Sequence, residues 1–354
     1  FKYLKNADKA DSMKEVMEVA SDLGAQDAEN LTAVFSNADK ADDLKAVMDV
    51  AKETLGSDDG SGTKKLDAGS ASILSSTLKN ADKADSMKEV MEVAADLGAQ
   101  DATNMTSVFQ NADKAADLKA VMDVAKATLG ADDGSGSKKL DATNAANLTS
   151  VFQNADKASD LKEVMEVAAD LGAQDATNMT SVFQNADKAA DLKAVMDVAA
   201  DLGAQDATNM TSVFQNADKA ADLKAVMDVA KETLGSDDGS GSKKLDATNA
   251  ANLTSVFQNA DKASDLKEVM EVAADLGAQD ATNMTSVFQN ADKAADLKAV
   301  MDVAKATLGT DDGTGANKLD ASNAANLTSV FQNADKASDL KEVMTAAADV
   351  GITD

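Results

Sequence analysis

The sequence predicts an all-α fold: a superhelical, open-ended solenoid of helical hairpins, with two helices in each unit of 31 or 43 residues. Three observations predict it. The string Asn-Ala-Asp-Lys-Ala recurs ten times along the 354 residues. The segments between its copies carry apolar residues at helical spacing. A lone hairpin of this size cannot bury both of its faces, so neighbouring units must stack.

The copies start at Asn6, Asn37, Asn80, Asn111, Asn154, Asn185, Asn216, Asn259, Asn290 and Asn333, always 31 or 43 residues apart. This gives one repeat array over 1–354, with short units 6–36, 80–110, 154–184, 185–215 and 259–289. Long units are 37–79, 111–153, 216–258 and 290–332, and partial units are 1–5 and 333–354.

In the short unit 154–184, Leu161, Val164, Met165, Ala168 and Leu171 fall at steps of three and four, the stripe of an amphipathic helix A. Val167 widens the stripe, as suits a helix packed between neighbours. Asp156 is placed to cap its start, and Gly172 sits where a helix ends in a left-handed residue. Met179, Val182, Phe183 and Ala186 mark a shorter helix B, with Asp175 or Thr177 as its cap. Asn-Ala-Asp then favours a turn into the next helix A. No Gly or Pro enforces the break, so a continuous bent helix is the alternative.

At the ends, Phe1-Lys-Tyr-Leu-Lys aligns with the end of a helix B, and Thr345–Asp354 stops before the next one. The expectation is a segment of something longer, or a subunit whose half-units a neighbour completes.

Long units carry twelve extra residues, including the loops Gly56–Asp67, 130–141, 235–246 and Gly309–Asp320. Asp59-Gly-Ser-Gly resembles the middle of an EF-hand calcium loop. With Gly62 at position six, however, position one is Ser57 (Ala131 and Thr310 in other copies), position eight is Lys64 and position twelve is Ala68 rather than Glu. Two readings stand. The first is a solvated hairpin linker. The second is a weak calcium site using Asp58, Asp59, Ser61 and Asp67, repeated as Asp132, Asp133, Ser135 and Asp141, then Asp237, Asp238, Ser240 and Asp246, then Asp311, Asp312, Thr314 and Asp320. Duplication copies linkers as faithfully as sites, so repetition does not choose between them.

Helix B also carries Asn-X-Ser/Thr, at Asn30, Asn104, Asn147, Asn178, Asn209, Asn252, Asn283 and Asn326. On a helical wheel this Asn lies at the margin of the buried stripe, from which a glycan would reach solvent. The competing reading is that Asn and Thr serve the helix's first turn.

Composition bounds the chemistry. His, Cys, Trp and Arg are absent, so imidazole, thiolate and guanidinium catalysis are excluded and an enzyme is not expected. The 16 Met residues fall at core positions. A net charge of −28 repels nucleic acid and anionic membranes and attracts cations, divalent ones included. The apolar runs are too short to insert in a membrane.

The functional expectation is a structural repeat protein, extracellular or at the cell surface, of a filament, sheath or surface layer. Its partner is then itself, through end-to-end and side-by-side helix packing, with Ca2+ as the one candidate cofactor. The alternative is an elongated adhesin stalk or protein-binding scaffold that does not polymerise.

Overall fold

The computed structural model describes residues 2–22, 27–58, 60, 64–66, 68–132, 138–139, 142–201, 204–237, 243–244, 247–308, 310–311, 317–318 and 321–349. These form an all-α repeat solenoid. Its helices are α1 (Ala10–Asp22), α2 (Ala28–Ser36), α3 (Ala41–Leu55), α4 (Ala68–Lys79), α5 (Ala84–Asp96), α6 (Ala102–Gln110), α7 (Ala115–Leu129), α8 (Ala142–Gln153), α9 (Ala158–Asp170) and α10 (Ala176–Gln184). They continue as α11 (Ala189–Asp201), α12 (Ala207–Gln215), α13 (Ala220–Leu234), α14 (Ala247–Gln258), α15 (Ala263–Asp275), α16 (Ala281–Gln289), α17 (Ala294–Leu308), α18 (Ala321–Gln332) and α19 (Ala337–Asp349). Odd-numbered helices are the A helices of the repeat, and even-numbered ones are the B helices.

The break between B and A comes from Asn. Each of the nine residues from Asn37 to Asn333 leaves helical geometry, as Asn185 does at φ −111° and ψ 37°. The Asn185 side-chain amide donates to the carbonyl of Ser181 (2.9 Å), closing helix B. Its own carbonyl accepts the Lys188 N–H (2.9 Å), opening a 3-10 turn over Ala186–Lys188 that runs straight into helix A. The continuous-helix alternative is therefore not what forms.

This turn also corrects the expected cap. Asp156 lies inside the 3-10 turn Ala155–Lys157, where its carboxylate faces the Lys157 ammonium (3.2 Å) instead of capping α9. The turn's own hydrogen bond to Asn154 already leads the backbone into the helix.

The other local signals act as expected. Asp175 caps α10 by accepting from the backbone N–H groups of Thr177 and Asn178 (both 3.0 Å). Gly172 ends α9 with φ +67°. At the equivalent Gly98, the Gly98 N–H reaches the Ala95 carbonyl (3.0 Å) and the Ala99 N–H reaches that of Ala94 (2.8 Å), a Schellman closure. Long A helices run on to a Leu, and α3, α7 and α13 then extend through Gly56, Gly130 and Gly235. A Cβ at Gly56 would run into the carbonyl oxygen of Lys52.

Each inserted loop opens as a two-residue antiparallel ladder: β1 (Ser57–Asp58) with β2 (Lys64–Lys65), β3 (Ala131–Asp132) with β4 (Lys138–Lys139), β5 (Ser236–Asp237) with β6 (Lys243–Lys244), and β7 (Thr310–Asp311) with β8 (Asn317–Lys318).

The chain divides into two compact units, Phe1–Ala169 with Gln174–Ala190, and Asp170–Ala173 with Asp191–Asp354. Each is built in two layers. In the first, α1, α3, α5 and α7 pack successively, as do α2, α4, α6, α8 and α10. In the second, α13, α15, α17 and α19 form one layer, and α12, α14, α16 and α18 the other. The core between layers takes the predicted stripes: Leu161, Val164, Met165 and Ala168 from helix A, and Met179, Val182, Phe183 and Ala186 from helix B, are all buried.

Truncating Phe183 to Ala is expected to cost about 3–5 kcal/mol, because it empties a fully enclosed ring site. Removing the Asp175 cap with Asp175→Ala is expected to cost about 1 kcal/mol. Urea unfolding monitored by helical circular dichroism measures both, and equal costs would contradict this division between core and cap.

Candidate functional site

The first candidate is the inserted loop. Of its proposed cation ligands, Asp58 is the one whose side chain is described. It is exposed, and its Oδ1 accepts the Gly60 N–H (2.8 Å), with Gly60 at φ +83°. Asp58 pairs across the ladder with Lys64. That Lys bends back to the last turn of α3 and donates to the Glu53 carbonyl (2.7 Å) and carboxylate (2.6 Å). The loop is thus latched to its helix by a cation that the chain itself supplies. Asp132, Asp237 and Asp311 occupy the same ladder position by backbone, and their side chains lie outside the described residues. Asp59, Ser61, Asp67, Asp133, Ser135, Asp141, Asp238, Ser240, Asp246, Asp312, Thr314 and Asp320 also lie outside them. Among the described residues, no three carboxylates come together as metal ligands.

The second candidate is Asn-X-Thr. The structure moves this Asn from the margin of the stripe to the interior: Asn30, Asn104, Asn178, Asn209, Asn252 and Asn283 are buried. Asn104 shows why. Its Nδ2 donates to the Ala99 carbonyl (2.8 Å) and to Oδ2 of the capping Asp101 (2.9 Å), while Asp101 Oδ1 accepts the Thr103 and Asn104 N–H groups (2.9 and 3.0 Å). The nitrogen a glycan would need is therefore engaged in holding helix B's first turn to the preceding loop. Oδ1 of Asn104, Asn209 and Asn283 is buried without a hydrogen-bond partner. Asn326 is exposed, and the side chain of Asn147 lies outside the described residues.

The third feature was not anticipated from the sequence. A ladder of polar contacts joins successive A helices, and it comes in two forms. Where a long unit's helix precedes a short unit's, its Asp receives the next helix: Lys88 on Asp43 (3.0 Å), Lys162 and Ser159 on Asp117 (3.2 and 2.7 Å), Lys267 and Ser264 on Asp222 (2.9 and 2.7 Å), and Lys341 and Ser338 on Asp296 (2.6 Å each). At three of the four junctions where a short unit's helix precedes a long one's, a Glu serves instead: Lys45 on Glu15 (3.0 Å), Lys119 on Glu89 (3.0 Å) and Lys298 on Glu268 (3.2 Å), while α11 carries Ala194 at that position. The signal is visible in retrospect. The residue after the Lys is Glu in Glu15, Glu89 and Glu268, and Ala in Ala46, Ala120 and Ala299.

These contacts tune the carboxylates. The Ser264 hydroxyl and then the Lys267 ammonium hold Asp222 below its ordinary value of 3.8. Lys341 and then Ser338 do the same for Asp296. At Asp117 burial pushes upward, and the hydrogen bonds from Ser159 and Lys162 outweigh it. The Lys partners shift the other way, Lys267 rising because of Asp222. Chemically, the ladder sets opposite charges against each other where helices meet.

Comparison with family models, with curated proteins and with solved structures gives no match.

Two outcomes are expected. A carboxylate with a depressed native value contributes stability that is fully present above the unfolded value and declines as pH falls through 3.8 toward the native one. Asp222→Asn should therefore lower the melting temperature at pH 7 by about 1–3 °C, with the gap to wild type closing as the solution is acidified. A gap that widens in acid would contradict this assignment. For the loops, calcium and sodium at matched ionic strength should give the same melting temperature. A calcium-specific rise, abolished by chelator, would make them cation sites.

Proposed function

We propose that this chain is a non-catalytic structural repeat protein of an extracellular filament, sheath or surface layer, assembling through the same helix packing that stacks its own units. The observation that supports the reading most is the ladder, which directs the repeat's ionisable side chains to contacts between units. A recognition solenoid diversifies one face from unit to unit, whereas here that face is copied almost unchanged. The restricted composition fits a product made in bulk and exposed to solvent. The excess of acid keeps such a surface hydrated.

The test is electron microscopy of purified protein with and without calcium, in matched salt. Ordered fibres or sheets in either condition are expected. Isolated particles in both, across the accessible concentration range, would sink the assembly reading and favour a stalk that presents something else.

A further inference from the structure

The two layers of helices differ in charge. The even-numbered B helices contain two charged residues, Glu29 on α2 and Lys79 on α4, and these pair with each other at 3.2 Å. The helices α6, α8, α10, α12, α14, α16 and α18 contain none. The A helices are charged on their outward side, where α5 alone exposes Asp85, Glu89, Glu92 and Asp96. A chain of net charge −28 thus keeps one of its two layers neutral.

That neutral layer presents a repeated face. The helices α6, α10, α12 and α16 share one sequence, Ala-Thr-Asn-Met-Thr-Ser-Val-Phe-Gln, and one pattern of burial. In α6, Met105, Val108 and Phe109 are buried on the side that packs toward α3. Thr103, Thr106 and Gln110 fall on the opposite side, at steps of three and four. Thr103 and Gln110 are exposed and Thr106 is half-exposed. The middle position is Thr in every B helix from α6 to α16, as Thr106, Thr149, Thr180, Thr211, Thr254 and Thr285, each half-exposed. Neighbouring B helices are also fastened together, Ser107 donating its hydroxyl to the Gln153 carbonyl and Ser212 to that of Gln258 (3.1 Å each). The row of Thr therefore rides on a fixed surface.

Resting on the assembly reading above, we infer that this neutral face is where two copies of the chain meet, B layer against B layer. Charge selects the pairing. Two A layers brought together would oppose carboxylate to carboxylate, as at the outward acids of α5. An A layer on a B layer would take those carboxylates out of water against hydroxyls and amides that carry no balancing charge. Two B layers meet without either cost. Thr hydroxyls and Gln amides each donate and accept hydrogen bonds, so a face made of them is complementary to a second copy of itself. The same patch on both partners is the condition for an isologous contact, and depletion of charge at its centre is what the core of a protein interface shows. A sugar polymer would be met by aromatic rings, whereas Phe109, Phe183, Phe214 and Phe288 are all buried.

Sedimentation velocity over a concentration series tests this on the intact chain. An acidic variant carries Thr106→Glu, Thr180→Glu, Thr211→Glu and Thr285→Glu; a basic variant carries Lys at the same four positions. Both residues favour helix more than Thr does, so helical circular dichroism should match wild type. Each variant alone should associate about tenfold more weakly than wild type, because like charges then meet across the contact. The basic variant makes the decisive point, since it lowers the net negative charge and should still associate less. An equimolar mixture of the two should recover wild-type association. A control with Ala116→Asp, Ala190→Asp, Ala221→Asp and Ala295→Asp adds four acids to exposed positions of the A layer, where α3 already carries Asp42. It should associate within about twofold of wild type. Face variants that associate like wild type, a mixture without recovery, or a control as weak as the acidic variant would overturn the B-layer contact and leave assembly through other faces standing. A wild-type chain that stays monomeric at every concentration would remove both.

Discussion

Everything in this fold depends on how one asparagine turns helix B into helix A. Its side-chain amide takes the carbonyl four residues back, and its own carbonyl takes the N–H three residues on. One residue thereby satisfies the end of one helix and opens the turn into the next, without Gly or Pro. Had the chain continued as a single helix, the stripe around Met179 and Phe183 and the stripe around Leu192 and Val195 would lie along one rod, with no way to face a common core. The break lets each unit present both stripes to its neighbours. Because the backbone angles at these Asn residues barely vary, every helix B hands over its helix A in the same direction.

Once that direction is set, apolar burial and charge do different jobs. The binding energy between units comes from enclosed Phe, Met, Leu and Val side chains, each worth about 1.5–3 kcal/mol on burial. The ladder pairs are half-exposed, and pairs of that kind contribute about 0–1 kcal/mol each. Their effect is on which unit sits beside which. A short unit's helix sends Lys, and in later copies Ser, back to the Asp of a long unit, and offers Glu forward to the Lys of the next. Where the short unit's α11 precedes the long unit's α13, the forward Glu is replaced by Ala194, and Lys224 turns to Asp228 on its own helix (2.9 Å). Alternation is thus written into the surface as complementary charge rather than as shape.

The same division explains what could be read from the sequence. The unit lengths, both helices, the Asp175 cap and the Gly172 terminus were legible because each is a local rule acting within one turn of helix. Asp156 was misplaced because a 3-10 turn leaves no mark on the apolar period, so the last polar residue before the stripe looked like a cap. The Asn of Asn-X-Thr was set at the margin by a wheel that knows only one helix. Asp101 and Ala99, on the preceding loop, draw Asn104 inward. The ladder escaped notice because its partners lie a whole unit apart, as Lys267 and Asp222 do, and no window along the chain holds both. The loops were legible as hairpins, but their ligand geometry depends on side chains that no local rule positions.

Charge distribution finally bears on how the units stack. Acidic residues outnumber Lys by 62 to 34, yet the ladder sets Lys opposite carboxylate at most junctions between A helices. The surplus therefore sits on outward faces, at residues such as Glu18 and Asp123. Between units of the array the facing charges are nearly balanced over an apolar core, while the outward faces of the A helices carry like charge. At physiological salt the screening length is about 8 Å, so repulsion between such faces is felt only when they approach closely. Contact between stacked units thus needs nothing beyond the chain's own residues. A repeat built this way holds successive units in register through lysines placed at their seams rather than spread over the outward faces.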